Sequence, residues 1–404
     1  MLSGVRVLDF SNYIPGPFAT LRLAELGAEI IKIESLAGDP ARTTGNELGK
    51  VGPVYRAMNR GKKSITINLK KPEGKEIATQ LIEKADVIIE SFRPGVMEKL
   101  GLGYEAVKKI KQDIVYCSIS GYGQQGSLSK LGSHDINYLA LSGVLAQLKG
   151  PTGEPTHPSI TFADYYGSFA ANERILAGLV SKGLTGKGSY HSISITDVMT
   201  SLMGNHVIVA GDTGYQNGLS VLNGTIISYR IYKTKDDRYV SLGALEPKFW
   251  QNFCRAVDRL DWEAAHFSKA TESNAVYLEV RELFNQKSLA EWTDFSRKVD
   301  CCLAPVLEVG EIKDHANGLV YNAEWGDEQI SMHGDLLSSS MVPTQAQVVL
   351  HGQGSQAPQN GQYQGLQQSQ TPPPNLGEHN NEILKELLNA SDLQLDQWKE
   401  QGII

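Results

Sequence analysis

The chain has 404 residues, of which 41% are hydrophobic and 21% are charged, a composition typical of soluble globular proteins. This length exceeds the usual size of a single hydrophobic core, so two domains are expected. A formal net charge of −7 argues against a nucleic-acid-binding protein, which would present a basic surface. The sequence also lacks a signal peptide and an apolar run of membrane-spanning length.

The four cysteines do not form a pattern typical of a disulfide framework or a zinc site. None of them belongs to a Cys-x-x-Cys pair, and Cys301 and Cys302 are adjacent in the chain. We therefore expect reduced thiols in a cytoplasmic protein, and no metal.

The N-terminal residues predict a strand–helix–strand unit, with strands at 5–10 and 29–34 and a helix at 18–26. This order favours a parallel sheet with a right-handed crossover, and so an α/β fold. The Gly16-Pro17 turn follows the first strand, where ligands approach such sheets. Because the turn lacks a Gly-x-Gly-x-x-Gly motif, the sequence does not support a nicotinamide or flavin cofactor.

Residues 38–59 are rich in glycine and weakly patterned, which predicts an excursion over the surface. The next segment, 60–71, joins five basic residues to a strand pattern. Two interpretations stay open: a solvated sheet edge, on which lysines deter aggregation, and a seat for phosphate groups.

Two further strands, 87–90 and 114–119, end in loops typical of ligand contacts. The first loop carries Arg93 before a Pro-Gly turn, and Lys99 lies shortly beyond it. The second loop is Ser-Gly-Tyr-Gly at 120–123. Cations at the first loop suit phosphate groups because they form charge-assisted hydrogen bonds.

His134 and Asp164 each stand at the entrance of a predicted helix, at 136–145 and 165–182. An aspartate in that position often caps free backbone amides. Capping favours the ionised carboxylate, which is also the state that a general base needs, so the two roles are compatible. A histidine and an aspartate on opposite sides of a pocket could exchange protons with a carbon acid.

After the strand at 190–195 and the helix at 197–210, the pattern changes to a hairpin at 226–243 followed by helices. This region predicts a smaller α+β domain at 225–325, after a linker at 211–224. A segment rich in Gln, Gly and Pro, 343–374, predicts an extended surface stretch before a last helix at 381–388.

Several short segments, taken in order, resemble the family III CoA-transferases, which also contain the α-methylacyl-CoA racemases. They are Leu-Asp-Phe at 8–10 with Gly-Pro at 16–17, and residues 26–34, 38–42, 63–66, 92–96 and 121–123. The resemblance implies a large Rossmann-like domain at 1–210 completed by 330–404, a linker at 326–342, and an interlocked homodimer. It also implies an acyl-CoA substrate and no further cofactor. The matching positions that would contact CoA are Ile67, Asn68, Leu69, Lys70, Ser91, Phe92, Arg93, Lys99, Ser133, Asp135 and Tyr138.

The resemblance leaves two activities open. In the racemase branch the aspartate matching Asp164 is an acid/base partner of a histidine, here His134, which a glutamate matching Glu246 supports. In the transferase branch the same aspartate is a nucleophile that forms mixed anhydrides and a thioester to CoA. Ile14 replaces a catalytic glutamine of formyl-CoA transferase-like members, and the small domain lacks a run of glycines. We therefore expect an acyl-CoA racemase, with helix amides stabilising an enolate, and a CoA-transferase as the alternative.

Overall fold

The computed structural model describes residues 1–45, 51–150, 152–312, 320–325, 328–333 and 371–404. Contacts divide the chain into one compact unit of residues 1–202 and 316–404 and a second unit of residues 203–315. The predicted surface stretch at 343–374 lies outside the described residues up to position 370. Within the described part of the chain, no helix is long and apolar enough to cross a membrane.

The first unit is built on a six-stranded parallel sheet with the order β3-β2-β1-β4-β5-β6. This is the strand order of doubly wound, Rossmann-like folds, in which ligands bind where the order reverses, here between β1 and β4. The predicted α/β class with a parallel sheet is thus confirmed. The strands are β1 (Arg6–Asp9), β2 (Glu29–Glu34), β3 (Lys63–Thr66), β4 (Val87–Glu90), β5 (Val115–Ser120) and β6 (Ser189–Ser194).

Helices cover both faces of this sheet and enclose two hydrophobic cores. The first-unit helices are α1 (Pro15–Glu25), α2 (Pro53–Asn59), α3 (Pro72–Glu83), α4 (Val96–Leu100), α5 (Tyr104–Ile110), α6 (Asp135–Leu141), α7 (Phe162–Thr185) and α8 (Ile195–Ser201). Three of them begin with proline, whose fixed φ suits a first helical position and whose missing N–H is not needed there.

The second unit has its own core around three buried tryptophans, Trp250, Trp262 and Trp292. An antiparallel sheet of β7 (Tyr229–Lys233), β8 (Tyr239–Gly243) and β9 (Leu303–Pro305) packs with the helices that follow. These helices are α10 (Pro247–Ala256), α11 (Ala275–Asn285) and α12 (Leu289–Ser296), while α9 (Gly204–Thr213) precedes the sheet in the chain. The predicted hairpin is therefore present, with strands shorter by a few residues.

The chain then forms an antiparallel hairpin of β10 (Val320–Trp325) and β11 (Glu328–His333), and it ends in α13 (Asn380–Leu388) and α14 (Asp392–Glu400). The sequence predicts α13 but not α14. A serine cap at Ser391 with Gln394 three residues later is a capping-box pattern that indicates the start of α14.

The C-terminal segment covers the outer edge of β3, which the sequence analysis leaves solvated. The His379 amide donates to the Ser64 carbonyl over 2.9 Å, and the Thr66 amide donates to Asn380 Oδ1 over 2.8 Å. The edge is thus blocked by the same chain and does not depend on lysines to prevent pairing.

The basic cluster at 60–63 is structural and does not form a phosphate seat. Arg60 is 1% exposed and pairs with Glu25, while Lys63 pairs with Glu29 over 3.1 Å. Lys62 is buried and donates to Asp9 Oδ2 over 3.2 Å. The solvated-edge interpretation is therefore wrong for this part of the segment, because Arg60, Lys62 and Lys63 pair with carboxylates of the fold. A phosphate contact remains a prediction for Lys70, which is exposed.

The segment 38–59 is not a simple surface excursion either, since α2 and the buried Asp39 lie within it. Arg42 pairs with Glu34 over 2.7 Å and stacks over the Tyr55 ring, with 3.8 Å to the ring centroid. Ion pairs to β2 hold this segment, and hydrophobic periodicity does not detect ion pairs.

Asp9 is the buried centre of a polar network that joins the carboxyl end of β1 to Lys32 of β2 and to Lys62, which immediately precedes β3. Burial alone would raise the pKa of Asp9, but Lys62, Lys32 and hydrogen bonds from Ser11 and Thr20 outweigh it and lower the pKa to about 2. The carboxylate is therefore ionised at neutral pH, and its charge favours the protonated form of Lys62, whose pKa burial lowers to about 7.

Asp9→Asn should destabilise the first unit by about 3–5 kcal/mol, because it removes one partner of a buried ion pair and leaves the ammonium groups behind. The matched control is Glu29→Gln, whose pairs with Arg6 and Lys63 are about a quarter exposed. That change should cost less than about 1 kcal/mol, since solvent screens exposed pairs. Urea unfolding of both variants and wild type measures the difference, and equal costs would contradict the role given to Asp9.

Candidate active site

Asp164 lies in the first turn of α7, as its third residue, and is partly buried. The helix begins at Phe162, three residues earlier than the sequence predicts, so the residue that precedes it is Thr161. Asp164 is therefore not the cap of this helix.

The carboxylate of Asp135 takes the capping role instead. The backbone N–H of Asp164 donates to Asp135 Oδ1 over 3.0 Å. Because Asp135 is the first residue of α6, this bond joins the starts of α6 and α7. The same bond engages the Asp164 amide, and the expectation that amides at a helix start stabilise an enolate oxygen stays a prediction.

His134 immediately precedes Asp135 and is exposed. Its backbone N–H donates to Oδ1 of Asn137 over 3.0 Å, which fixes the entry of the chain into α6. The structure therefore places the two predicted catalytic residues at two helix starts that are tied together through Asp135. Sequence reasoning named Asp135 only as a CoA contact and missed this link, because the bond spans 29 positions of the chain.

The electrostatic environment of Asp164 favours the neutral acid. Burial raises the pKa of its carboxyl group, and the nearby charge of Asp135 raises it further, to about 7. Burial also raises the pKa of Asp135, although amide hydrogen bonds from Asp164 and Ala163 act in the opposite direction. A carboxyl group that titrates near neutral pH can both accept and donate a proton under physiological conditions.

The turn after β1 packs against the same end of α7. The Ser168 hydroxyl donates to the Pro15 carbonyl over 2.6 Å, and the Phe18 and Tyr165 rings meet edge to face with centroids 4.9 Å apart. Tyr13, in this turn, has a left-handed backbone with φ of 63°, which is strained for a bulky residue. Its N–H donates to the buried Asp39 carboxylate over 3.2 Å, which helps to hold that conformation.

Several predicted CoA contacts lie next to one another beside His134. An ideal Cβ on Gly132 would lie 3.0 Å from Arg93 Nη2, so the guanidinium lies against this backbone. The Ser133 hydroxyl donates to the Tyr138 hydroxyl over 3.0 Å. A Cβ on Gly121 would lie 2.4 Å from the Tyr138 ring, so the glycine loop after β5 fits here only without a side chain.

The other predicted contacts are spread along the carboxyl edge of the sheet. Ser91 accepts the Asn12 amide over 3.1 Å, which bridges the β4 and β1 loops at the reversal of strand order. Residues 67–70 follow β3, which lies three strands from β4. Because neighbouring strands are about 4.8 Å apart, these residues are well separated from the loop after β4. Of the remaining predicted contacts, Ile67 is buried in the core, Asn68 and Leu69 are partly buried, Phe92 packs against the core, and Lys70 and Lys99 are exposed.

Glu246 belongs to the second unit, where it precedes α10 and is exposed. That Glu246 supports His134 remains a prediction. Among the residues that the structure describes, no three His, Cys, Asp or Glu side chains are grouped as metal ligands would be.

Comparisons with known proteins agree with this architecture. The family model described as CoA-transferase family III matches residues 2–380. The chain is 29% identical to human succinyl-CoA:glutarate CoA-transferase over 416 aligned residues, which covers 100% of this chain and 90% of the relative. It is 31% identical to mouse alpha-methylacyl-CoA racemase, covering 78% of this chain and 80% of the relative.

A crystal structure of a CAIB/BAIF family protein from Brucella suis has the same fold, with a TM-score of 0.76 and 24% sequence identity. The match covers 96% of this chain and 99% of that protein. The resemblance seen in the sequence motifs is thereby confirmed. The chain belongs to CoA-transferase family III, and it is accordingly an enzyme.

Proposed function

We propose that this enzyme is an acyl-CoA racemase that inverts the α-carbon of a 2-methyl-branched acyl-CoA. The observation that carries the proposal is the Asp164 carboxyl group, whose pKa burial and the charge of Asp135 raise to about 7. The backbone N–H of Asp164 is bonded to Asp135, which is the residue next to His134. General acid–base groups work best when their pKa lies near the operating pH.

The chemistry explains why two such groups are needed. The proton next to a thioester carbonyl is acidic because the enolate spreads its charge onto oxygen, yet it is too weak an acid to be removed without help. Inversion requires removal of the proton on one face of the carbon and delivery on the other. His134 would serve one face and Asp164 the other, and each enantiomer would meet them in opposite order.

Glu246 has a supporting role in this proposal, in which it orients the His134 imidazole and stabilises its protonated form. The exposed cations Arg93, Lys99 and Lys70 would hold the phosphate groups of CoA through charge-assisted hydrogen bonds. We also propose an interlocked homodimer as the working form.

The roles of His134 and Asp164 can be distinguished by α-proton exchange in D2O with each enantiomer of a 2-methylacyl-CoA. Wild type should deuterate and racemise both. In His134→Ala, the enantiomer whose proton Asp164 removes should still exchange without inversion, while exchange of the other should fall by about 100-fold or more. Asp164→Asn should show the opposite preference. NMR of the α-position and chiral analysis measure the outcome.

Asp197→Asn is the matched control, because Asp197 is also the third residue of its helix but is exposed. It should racemise like wild type. Racemisation at the wild-type rate by either His134→Ala or Asp164→Asn would contradict the proposal.

A CoA-transferase is the second candidate, favoured by the match to human succinyl-CoA:glutarate CoA-transferase over the whole length of this chain. In that case Asp164 would be the nucleophile, and its ionised half at neutral pH would attack the thioester. Mixing an acyl-CoA with a free carboxylic acid should then transfer CoA, and hydroxylamine should trap an acyl group on Asp164. His134→Ala should leave transfer within about tenfold of wild type, a loss below that expected for a general base. Transfer without α-deuteration would replace the racemase proposal.

Asp135→Asn should shift the acid side of the activity–pH profile to lower pH by about one unit, because a nearby charge shifts a pKa by that much or more. The Asp135 charge raises the pKa of Asp164, and an asparagine oxygen can still accept the Asp164 amide. The matched control is Asp392→Asn, since Asp392 is also the first residue of its helix but lies in α14. An unchanged activity–pH profile in Asp135→Asn would show that titration of Asp164 does not set the acid side of the profile.

A further inference from the structure

We propose that Glu90 is a positioning residue that fixes the turn carrying Arg93 and thereby sets the affinity for the phosphate groups of CoA. The proposal deepens the proposed function and rests on it, since it takes Arg93 to contact CoA.

Glu90 is the last residue of β4, a central strand, and is 4% exposed. Its Oε2 accepts the backbone N–H of Phe92 over 2.8 Å. Ser118 lies opposite Glu90 in the β4–β5 pairing, and its hydroxyl hydrogen-bonds to the same carboxyl group. Glu90 is thus anchored to the sheet on one side and holds the first amide of the turn on the other.

The turn that Glu90 holds connects to the neighbouring loops. The Val96 amide donates to the Arg93 carbonyl over 3.1 Å, and Gly95 adopts a left-handed backbone with φ of 87° that favours glycine. The Arg93 guanidinium lies against Gly132, next to the loop that leads to His134. A shift of the Phe92 amide would therefore move Arg93 relative to the candidate active site.

A buried carboxyl group with a second carboxylate nearby, here Glu98, is costly to ionise, which argues for a specific role. The titratable groups that act on Glu90 from the surrounding described elements are Glu98 of α4, Tyr116 and Cys117 of β5, and Tyr190 of β6. Burial raises the pKa of Glu90 to about 7, against hydrogen bonds from Ser118 and Phe92 that lower it. The ionised form is the stronger acceptor, so the turn is held more firmly above pH 7 than below it.

The test compares CoA binding by wild type, Glu90→Gln and Glu90→Ala with isothermal titration calorimetry between pH 5.5 and 8.5, a range of about 1.5 units on each side of the titration. Glutamine keeps the volume and an acceptor oxygen but does not titrate. The ratio of the wild-type Kd to the Glu90→Gln Kd should therefore fall as pH rises through 7, and titration of CoA cancels in this ratio. Glu90→Ala should weaken binding by about tenfold, the usual effect of one lost hydrogen bond.

Amide hydrogen exchange at Phe92 supplies a readout that does not depend on CoA. Exchange should speed up by about tenfold or more in Glu90→Ala and much less in Glu90→Gln, since only alanine removes the acceptor. Should Glu90→Ala fail to fold, the positioning role of Glu90 is tested by the pH dependence of the ratio of the wild-type Kd to the Glu90→Gln Kd. A constant ratio, or unchanged Phe92 exchange in a folded Glu90→Ala, would overturn the proposal.

Arg93→Ala distinguishes the assignment of Arg93 to CoA from the positioning role of Glu90. If it leaves CoA affinity unchanged, the assignment of Arg93 to CoA fails, and the exchange result still reports whether Glu90 holds the turn. If it weakens binding while Glu90→Ala does not, CoA binding stands and the positioning role of Glu90 falls.

Discussion

The buried ion pairs of Lys32 in β2 and of Lys62, just before β3, constrain the part of the first unit on which the candidate site depends. Lys32 pairs with Asp39 over 2.9 Å and donates to the Ser11 carbonyl, while Lys62 donates to Asp9 and to the Pro17 carbonyl. These bonds hold both ends of the turn between β1 and α1. Since that turn packs against the start of α7, the network supports the position of the catalytic candidate indirectly.

The contrast between Asp9 and Asp164 shows how the fold assigns different tasks to one residue type. Both lose hydration on folding, which by itself raises the pKa of each. Lys62 and Lys32 reverse that effect at Asp9 and lower its pKa to about 2, whereas the neighbouring charge of Asp135 adds to it at Asp164 and brings the pKa to about 7. One carboxyl group is therefore a permanent anion that stabilises the fold, and the other is suited to proton transfer or to a regulated nucleophile.

The racemase and transferase proposals make different use of the same geometry. A racemase needs a second group across the α-carbon, which gives His134 an essential role, whereas a transferase needs only the nucleophilic carboxylate and space for the acceptor acid. The family III assignment holds for either activity.

The sequence by itself determined the strands of the first unit and most of its helices, its parallel sheet, the family, and the candidates His134 and Asp164, but it did not predict α2 or α14. These follow from local periodicity, from glycine and proline positions, and from motifs within a few residues. Only the tertiary structure decided that Arg60, Lys62 and Lys63 are bound by carboxylates, that the C-terminal segment covers β3, and that Asp135 caps α7. Those contacts join residues far apart in the chain, and whether a charge faces water or a distant partner depends on packing that no local pattern records.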